Sequence, residues 1–372
     1  MTTSVSYDAS RPIDDRYLPP DCDELQAVRD VLDDGRLSGG AAVLPLYERA
    51  LARWFGVPHA VAVNSGSSAL HAALVAFKTG PGTEVIVPAT APLPTVMPVL
   101  TCGATPVVVD TLPGSLALDP TDVERKLTVR TRAVITLPLW GYPANDHRLA
   151  ALLAPTGVPI VEDACQAHGT EIAGRYAGTL GRVGCFSTHD RKLLSTGEGG
   201  FLLTGDRELA ARLDDYTHLG HLRGATHGVN YKLAGPLAAI GLRRLEQLDA
   251  QITQRRANAR AILDALPVDG RLRELHSANG DQPNYYNLVL VAESSPALIA
   301  AELAASGLPP DSVRYGYRPL HKQPLFRAYA TECPNAEMLA ATTLQLPCHP
   351  GMSPETIEWV ARRTAAIARR GT

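Results

Sequence analysis

The segment CFSTHDRKLLSTGEGG, residues 185–200, places a lysine inside a short, polar, turn-rich stretch that closes on a Thr-Gly-Glu-Gly-Gly run. Lys192 is followed by Leu193 and Leu194, and the stretch lies between two apolar runs, GCF and FLL, that read as buried strands. A lysine withdrawn from water loses basicity and becomes a nucleophile suited to Schiff-base formation. A solvated loop lysine is the commoner occupant of such a stretch, and the segment alone leaves both readings open. Asp163 closes the run PIVED, where a carboxylate needs a partner because desolvating an unpaired charge is expensive. A protonated ring nitrogen, an internal arginine or a helix N-terminus would each serve. NSGSSAL, residues 64–70, follows another apolar run and opens a helix. Gly66 and its small neighbours let backbone N–H groups approach an anion, which suits a phosphate; an ordinary helix cap has the same composition. Asn230, in HGVNYKL, stands in a loop before an Ala/Leu helix and by itself says little. His189 and Asp190 are adjacent in sequence, which gives no proton-relay geometry; a substrate-facing or merely polar role suits them.

The elements that must position these groups repeat one pattern from about residue 60: a short β-branched run, a turn, then an Ala/Leu-rich helical stretch. The runs are AVAV (60–63), EVIVPA (84–89), PVVVD (106–110), RAVITLPLW (132–140), PIVED (159–163), GCFST and GGFLLTG. They are nearly continuously apolar, as expected of strands buried on both faces of a largely parallel sheet. Such sheets take ligands at the carboxyl ends of their strands, where Gly66, Asp163 and Lys192 all fall. In LRRLEQLDAQITQRRANARAILDAL, residues 242–266, Leu242, Leu245, Leu248, Ile252, Ala259, Ile262 and Leu266 form one helical stripe with Arg and Gln opposite. One long amphipathic helix is expected there, joining the sheet to a C-terminal unit. That unit has a strand, YYNLVLVA (285–292), and the helices SPALIAAELAASG and SPETIEWVARRTAAIARR.

Composition fits this picture. The chain has 372 residues, 45% hydrophobic and 20% charged, with a net charge of −3, so nothing electrostatic points to nucleic acid or an anionic membrane. Cys22, Cys102, Cys165, Cys185, Cys333 and Cys348 are scattered, without a C-x-x-C pair; reduced thiols are expected, not a disulfide frame or a metal site. The polar opening segment, residues 1–21, has no signal-peptide apolar stretch, and no run approaches the roughly 18 apolar residues of a membrane span. A cytoplasmic enzyme is the expectation.

Taken together and in order, the motifs resemble the fold-type I, pyridoxal-phosphate-dependent sugar aminotransferases of the DegT/DnrJ/EryC1/StrS family. The likeness runs over nearly the whole chain, from LSGGAAVLPLYERALARWFG to LQLPCHPGMSPETI. It rests on Ser65-Gly66-Ser67 with Ala69-Leu70, and on Glu162, Asp163, Ala164, Gln166, His168 and Gly169. Ser187, Lys192 and Thr196-Gly197-Glu198-Gly199-Gly200 follow, then Gly228, Asn230 and Lys232. The resemblance implies an α/β fold: a large domain with a mostly parallel sheet flanked by helices, residues 1–245, and a smaller C-terminal α+β domain, residues 246–372. It implies that Lys192 is the Schiff-base lysine and the acid–base group of the proton shift, and that Asp163 keeps the pyridine nitrogen protonated. Gln166 would sit by the ring hydroxyl. Gly66, Ser67 and Ser187 would bind the phosphate, with Asn230 reaching the phosphate of a second protomer in a homodimer. The substrate contacts it suggests are His189, Tyr315, Tyr317, Arg318 and His321.

Three positions depart from the family pattern: Pro92 where an aromatic ring usually stacks on the cofactor, Thr188 after the motif serine, which would enlarge the pocket, and Pro138 where a histidine is common. The expected reaction moves an amino group from glutamate or glutamine to a keto group on a nucleotide-linked keto-sugar, in secondary-metabolite or glycan biosynthesis. A keto-cyclitol is the alternative acceptor. A dehydratase of the same group would have lost Lys192; an aminobenzoate-type synthase would retain it. A cofactor-binding regulatory protein would have lost part of the Asp163/Lys192 pair.

Overall fold

The computed structural model describes residues 13–14, 22–144, 147–278 and 280–369; apart from Ile13 and Asp14, the opening segment 1–21 lies outside the described residues. The apolar runs become β1 (His59–Val63), β2 (Glu84–Pro88), β3 (Thr105–Val109), β4 (Thr131–Thr136), β5 (Ile160–Asp163), β6 (Val183–Ser187) and β7 (Gly200–Thr204). They form one sheet in the order β1-β7-β6-β5-β4-β2-β3. β2, β6 and β7 are buried along their whole length, the signature of strands covered on both faces. Each strand but β7 runs in one direction; β7 is antiparallel to both β1 and β6. Residues 188–199 therefore form a return loop at the carboxyl edge of the sheet, which keeps the lysine segment beside the ends of β1, β5 and β6.

Three elements differ from the expected ones. The run 132–140 stops being a strand at Thr136, because Pro138 has no N–H to donate and Trp140 adopts a left-handed conformation, φ 55°. The strand expected from 285 begins only at Leu288, since Tyr285 has φ 53°. The single helix expected over 242–266 is two. In addition to α1 (Gly66–Ala76) and α2 (Leu93–Thr101), the chain forms α3 (Gly235–Glu246) and α4 (Leu248–Asp264), which meet at Gln247.

α4 starts in one core and ends in another. Leu248 and Ile252 pack beneath the large sheet with Phe186, Phe201 and Leu203. Ala259 and Ile262 pack on a second, antiparallel sheet of β8 (Leu272–Glu274), β9 (Leu288–Ala292) and β10 (Thr343–Leu346). That sheet is covered by α5 (Pro296–Ala305) and α6 (Pro354–Arg369). α4 also buries some of its polar side chains: Arg255 donates to the carbonyls of Tyr285 (2.9 Å) and Tyr286 (3.0 Å), and Asn258 to those of Cys348 and His349. These bonds anchor two segments that border the site. Cys102, Cys165, Cys185, Cys333 and Cys348 are free thiols. Among the described residues no helix is long and apolar enough to cross a membrane.

Candidate active site

At the end of β1 the backbone turns directly into α1. Ser65 caps the helix, its hydroxyl accepting from the Ser68 N–H at 3.0 Å. Gly66 is buried against the end of β6: a Cβ there would lie 2.7 Å from Ser187 Cβ and 2.8 Å from Cys165 Sγ. The glycine is needed for space, not for φ. Its absence of a side chain lets the N-terminus of α1 and the Ser187 hydroxyl face one another, with Ser67 exposed beside them. Helix N-terminal N–H groups beside serine hydroxyls are the kind of donors that an anion takes. Asn230 is exposed on a segment that bridges His218, next to Tyr231, whose carbonyl accepts from the Asn64 N–H at 2.8 Å.

The return loop is held at both of its sides by backbone bonds. Thr188 N–H donates to Gly199 O at 2.8 Å, Asp190 N–H to Gly197 O at 3.0 Å, and Lys192 N–H to His189 O at 2.8 Å. Leu193 and Leu194 are fully buried and pin the loop to the core. Lys192 consequently points into a cavity, half-buried, with Nζ 5.0 Å above the centre of the Tyr286 ring. It is not a solvated surface lysine. Thr188 does not enlarge the pocket: it is fully buried and its hydroxyl pairs with that of Thr196 at 2.7 Å.

Asp163, at the end of β5, is only 3% exposed. Its carboxylate accepts from the Thr95 hydroxyl at 2.6 Å and from the Cys165 N–H at 3.2 Å. Among the described residues no basic side chain pairs with it, so the carboxylate has lone-pair capacity and charge to offer a cationic donor. Thr95 lies one turn into α2; a hydroxyl following the strand-end prolines of PLPTV was its only signal in the sequence. His168 is fully buried against Phe186 and Phe201, with neither ring nitrogen hydrogen-bonded. Burial, and secondarily the nearby Lys192 charge, pushes its pKa down to about 3, so the ring is neutral.

The cavity has a volume of about 530 Å³ and is lined by Lys192, Gln166 and His189 from the large sheet's edge and by Tyr315, Tyr317 and Arg318 from the C-terminal unit. These expected residues come together. His321 does not join them: it is 5% exposed and turned toward Glu337, with Nε2 2.8 Å from the carboxylate. Pro92, the residue before α2, forms part of the wall, and the cavity's aromatic surface comes from Trp140, Tyr286, Tyr315 and Tyr317. Trp140, Tyr286, Asp311, Arg191 and Arg314 also line the cavity, and no local pattern in the sequence singles them out. Pro138 is buried at the start of the turn that carries Trp140.

Residues 20–364 match the model of the DegT/DnrJ/EryC1/StrS aminotransferase family. The chain belongs to that family. The aminotransferase is 36% identical over 334 residues to dTDP-3-amino-3,4,6-trideoxy-alpha-D-glucose transaminase of Streptomyces venezuelae, covering 87% of this chain and 86% of the relative. It is 32% identical over 332 residues to L-glutamine:2-deoxy-scyllo-inosose aminotransferase of Streptomyces paromomycinus, covering 82% and 78%. The crystal structure of S. venezuelae DesV in complex with a ketimine intermediate superposes with a TM-score of 0.86 at 33% identity, over 94% of this chain and 95% of that one.

The aminotransferase depends on pyridoxal 5′-phosphate, and the residues present fit that group. The close approach of Gly66 to Ser187 sets the N–H groups opening α1 beside a serine hydroxyl, donors of the kind a phosphate needs. Asp163 is a buried carboxylate without a cationic partner, which suits a protonated pyridine nitrogen. Lys192 is the one primary amine among the described lining residues of the cavity.

Proposed function

We propose that this aminotransferase takes an amino group from glutamate or glutamine and delivers it to the keto carbon of a nucleotide-linked keto-sugar, as a cytoplasmic homodimer. The observation that carries the acceptor class is the charge of the cavity wall. Arg191, Arg314 and Arg318 line it together, whereas its acidic lining residue, Asp311, is engaged by the Trp140 indole. A wall of guanidinium groups complements a diphosphate; an uncharged cyclitol has no use for it.

Bound pyridoxal 5′-phosphate supplies the carbonyl that accepts the donor's nitrogen and the ring that withdraws electrons from the carbon losing a proton. Ser187, Ser67 and the N–H groups opening α1 would hold its phosphate, and Asn230 would serve the phosphate of the other protomer. The Asp163 carboxylate, fixed by Thr95 and the Cys165 amide, would hold the proton on the pyridine nitrogen. Gln166, itself oriented by the Trp140 N–H at 2.7 Å, would offer its amide to the cofactor. Lys192 Nζ would hold the cofactor through its carbonyl and, when free, would be the base and acid that moves the proton of the donor's Cα. The Tyr286 ring offers a π face to that amine while it is protonated. Both halves of the reaction use this one amine, which is why its loop is so firmly tied to the core. Residues 246–372, the smaller domain, supply the acceptor-facing groups Tyr315, Tyr317 and Arg318.

The test is the absorption spectrum of purified wild type and Lys192→Ala, before and after glutamate or glutamine. The donor is expected to bleach the visible band of wild type only. Adding a dTDP-, UDP- or GDP-linked keto-hexose should then restore the band, and a keto-cyclitol should not. Restoration by the cyclitol alone would replace the nucleotide-sugar reading, and no cofactor uptake by wild type would overturn the whole assignment.

A further inference from the structure

Trp140 occupies an unusual position. Its backbone has φ 55° and ψ 13°, and Gly141 follows at φ 83°, so two successive residues are left-handed. A tryptophan is seldom found in that conformation, and it persists only where its surroundings over-determine it. They do so here. The Asn287 N–H donates to Trp140 O at 3.3 Å, the Asn284 N–H and the Thr170 hydroxyl both donate to Gly141 O, and a Cβ at Gly141 would overlap the Asn284 side chain. The turn thus fixes an indole that is 2% exposed at the edge of the cavity.

From this turn Trp140 makes two polar contacts that lead in opposite directions. Its backbone N–H donates to Gln166 Oε1 at 2.7 Å, on the cofactor side. Its indole Nε1–H donates to Asp311 Oδ2 at 2.7 Å, on the C-terminal unit. Asp311 opens the segment 311–318, which carries Arg314, Tyr315, Tyr317 and Arg318 along the cavity wall. Two further bonds tie the same segment to the large sheet: Tyr317 OH to Thr90 O at 2.8 Å, and Arg191 Nη1 to Tyr315 OH at 2.8 Å. The Tyr317 ring also meets the indole edge-on at 5.3 Å.

We propose that Trp140 is a positioning residue for the acceptor: its indole–Asp311 bond docks the 311–318 segment over the cavity, in register with the Gln166 amide that the same residue orients. This rests on the reading that the cavity receives the nucleotide-linked acceptor. The amino-acid donor is much smaller than a nucleotide-linked sugar and its carboxylates can engage only part of this wall, so the consequences separate by half-reaction. Trp140→Phe keeps a ring in the turn and removes the Nε1–H donor; Asp311→Asn keeps an oxygen able to accept it.

Two measurements test the inference on wild type and both variants. The first is amide hydrogen exchange of residues 309–318 in the cofactor-free protein. Trp140→Phe is expected to speed it, and Asp311→Asn to leave it near wild type. The second is single-turnover absorbance of each half-reaction. Trp140→Phe is expected to lower kcat/KM for the keto-sugar roughly tenfold or more, mainly through KM, as the loss of one hydrogen bond to a carboxylate predicts. The donor half-reaction should stay within about twofold. Unchanged exchange in Trp140→Phe overturns the docking role whatever the substrate proves to be. Equal losses in both half-reactions, with a lowered melting temperature, reduce Trp140 to a structural residue and overturn the acceptor-specific role. Faster exchange in a variant, with no nucleotide-linked keto-sugar used by wild type, keeps the docking bond and refutes the acceptor reading instead.

Discussion

Gly66→Ala is the most direct test of the anion cradle. The added methyl would sit 2.7 Å from Ser187 Cβ, 2.8 Å from Cys165 Sγ and 3.2 Å from Ser187 Cα. A Cβ cannot rotate away from its own backbone, and Ser187 is the last residue of a strand paired on both sides; the Cys165 thiol can turn about χ1, but the Ser187 Cβ and Cα cannot yield by changing rotamer. Restoring an ordinary contact of 3.4 Å requires the start of α1 to withdraw by roughly 0.7 Å, a small overpacking that costs about 1–3 kcal/mol of stability. The same withdrawal pulls the helix N–H groups off the phosphate position. A hydrogen bond to a charged group contributes about 1.5–3 kcal/mol, so losing the geometry of one lowers cofactor affinity by roughly ten- to a hundredfold. The assay is titration of cofactor-free protein with pyridoxal 5′-phosphate, followed by absorbance, alongside thermal melting. Ser67→Ala is the control: Ser67 is exposed and makes no hydrogen bond among the described residues, so its loss should weaken binding several-fold without moving the melt. If Gly66→Ala binds the cofactor within twofold of wild type, the approach of α1 to Ser187 is not the cradle.

Two further outcomes follow from buried groups. His168, with its pKa pushed down to about 3 from the ordinary 6.5 of a histidine, takes up a proton on unfolding but not in the folded state between those values. Its contribution is complete above about pH 6.5 and falls by roughly 1.4 kcal/mol per unit as the pH drops toward 3. His168→Phe should flatten the acid limb of stability measured by urea unfolding from pH 7 to 4, and an unchanged slope would show that the ring is not buried neutral. Arg244 forms a buried pair with Glu24 at 2.7 Å and also donates to Ser195 O at 3.2 Å, in the loop that carries Lys192. Arg244→Leu should cost about 3–5 kcal/mol, because a buried carboxylate loses its bidentate partner. A loss under about 1 kcal/mol in urea unfolding would mean that the pair is dispensable.

The sequence by itself determined what is local in character. Continuous β-branched runs specified buried strands because no solvated face interrupts them, and that placed Gly66, Asp163, Ser187 and Lys192 at strand ends. The order of those motifs specified the family, since each residue type is dictated by the chemistry of a phosphate, a ring nitrogen or a carbonyl. Other features depended on partners far along the chain. That Thr95 holds Asp163, 68 residues away, and that Trp140 holds Asp311, 171 residues away, is written in no local pattern. The left-handed turn at Trp140 goes against local preference and exists because Thr170, Asn284 and Asn287 hold it from other elements. The same holds for Arg255 and Asn258 of α4, which are buried because they meet carbonyls that only folding brings to them. Residue type and spacing determined the chemistry; long-range hydrogen bonding in a buried environment decided which side chains face the cavity and how they are held.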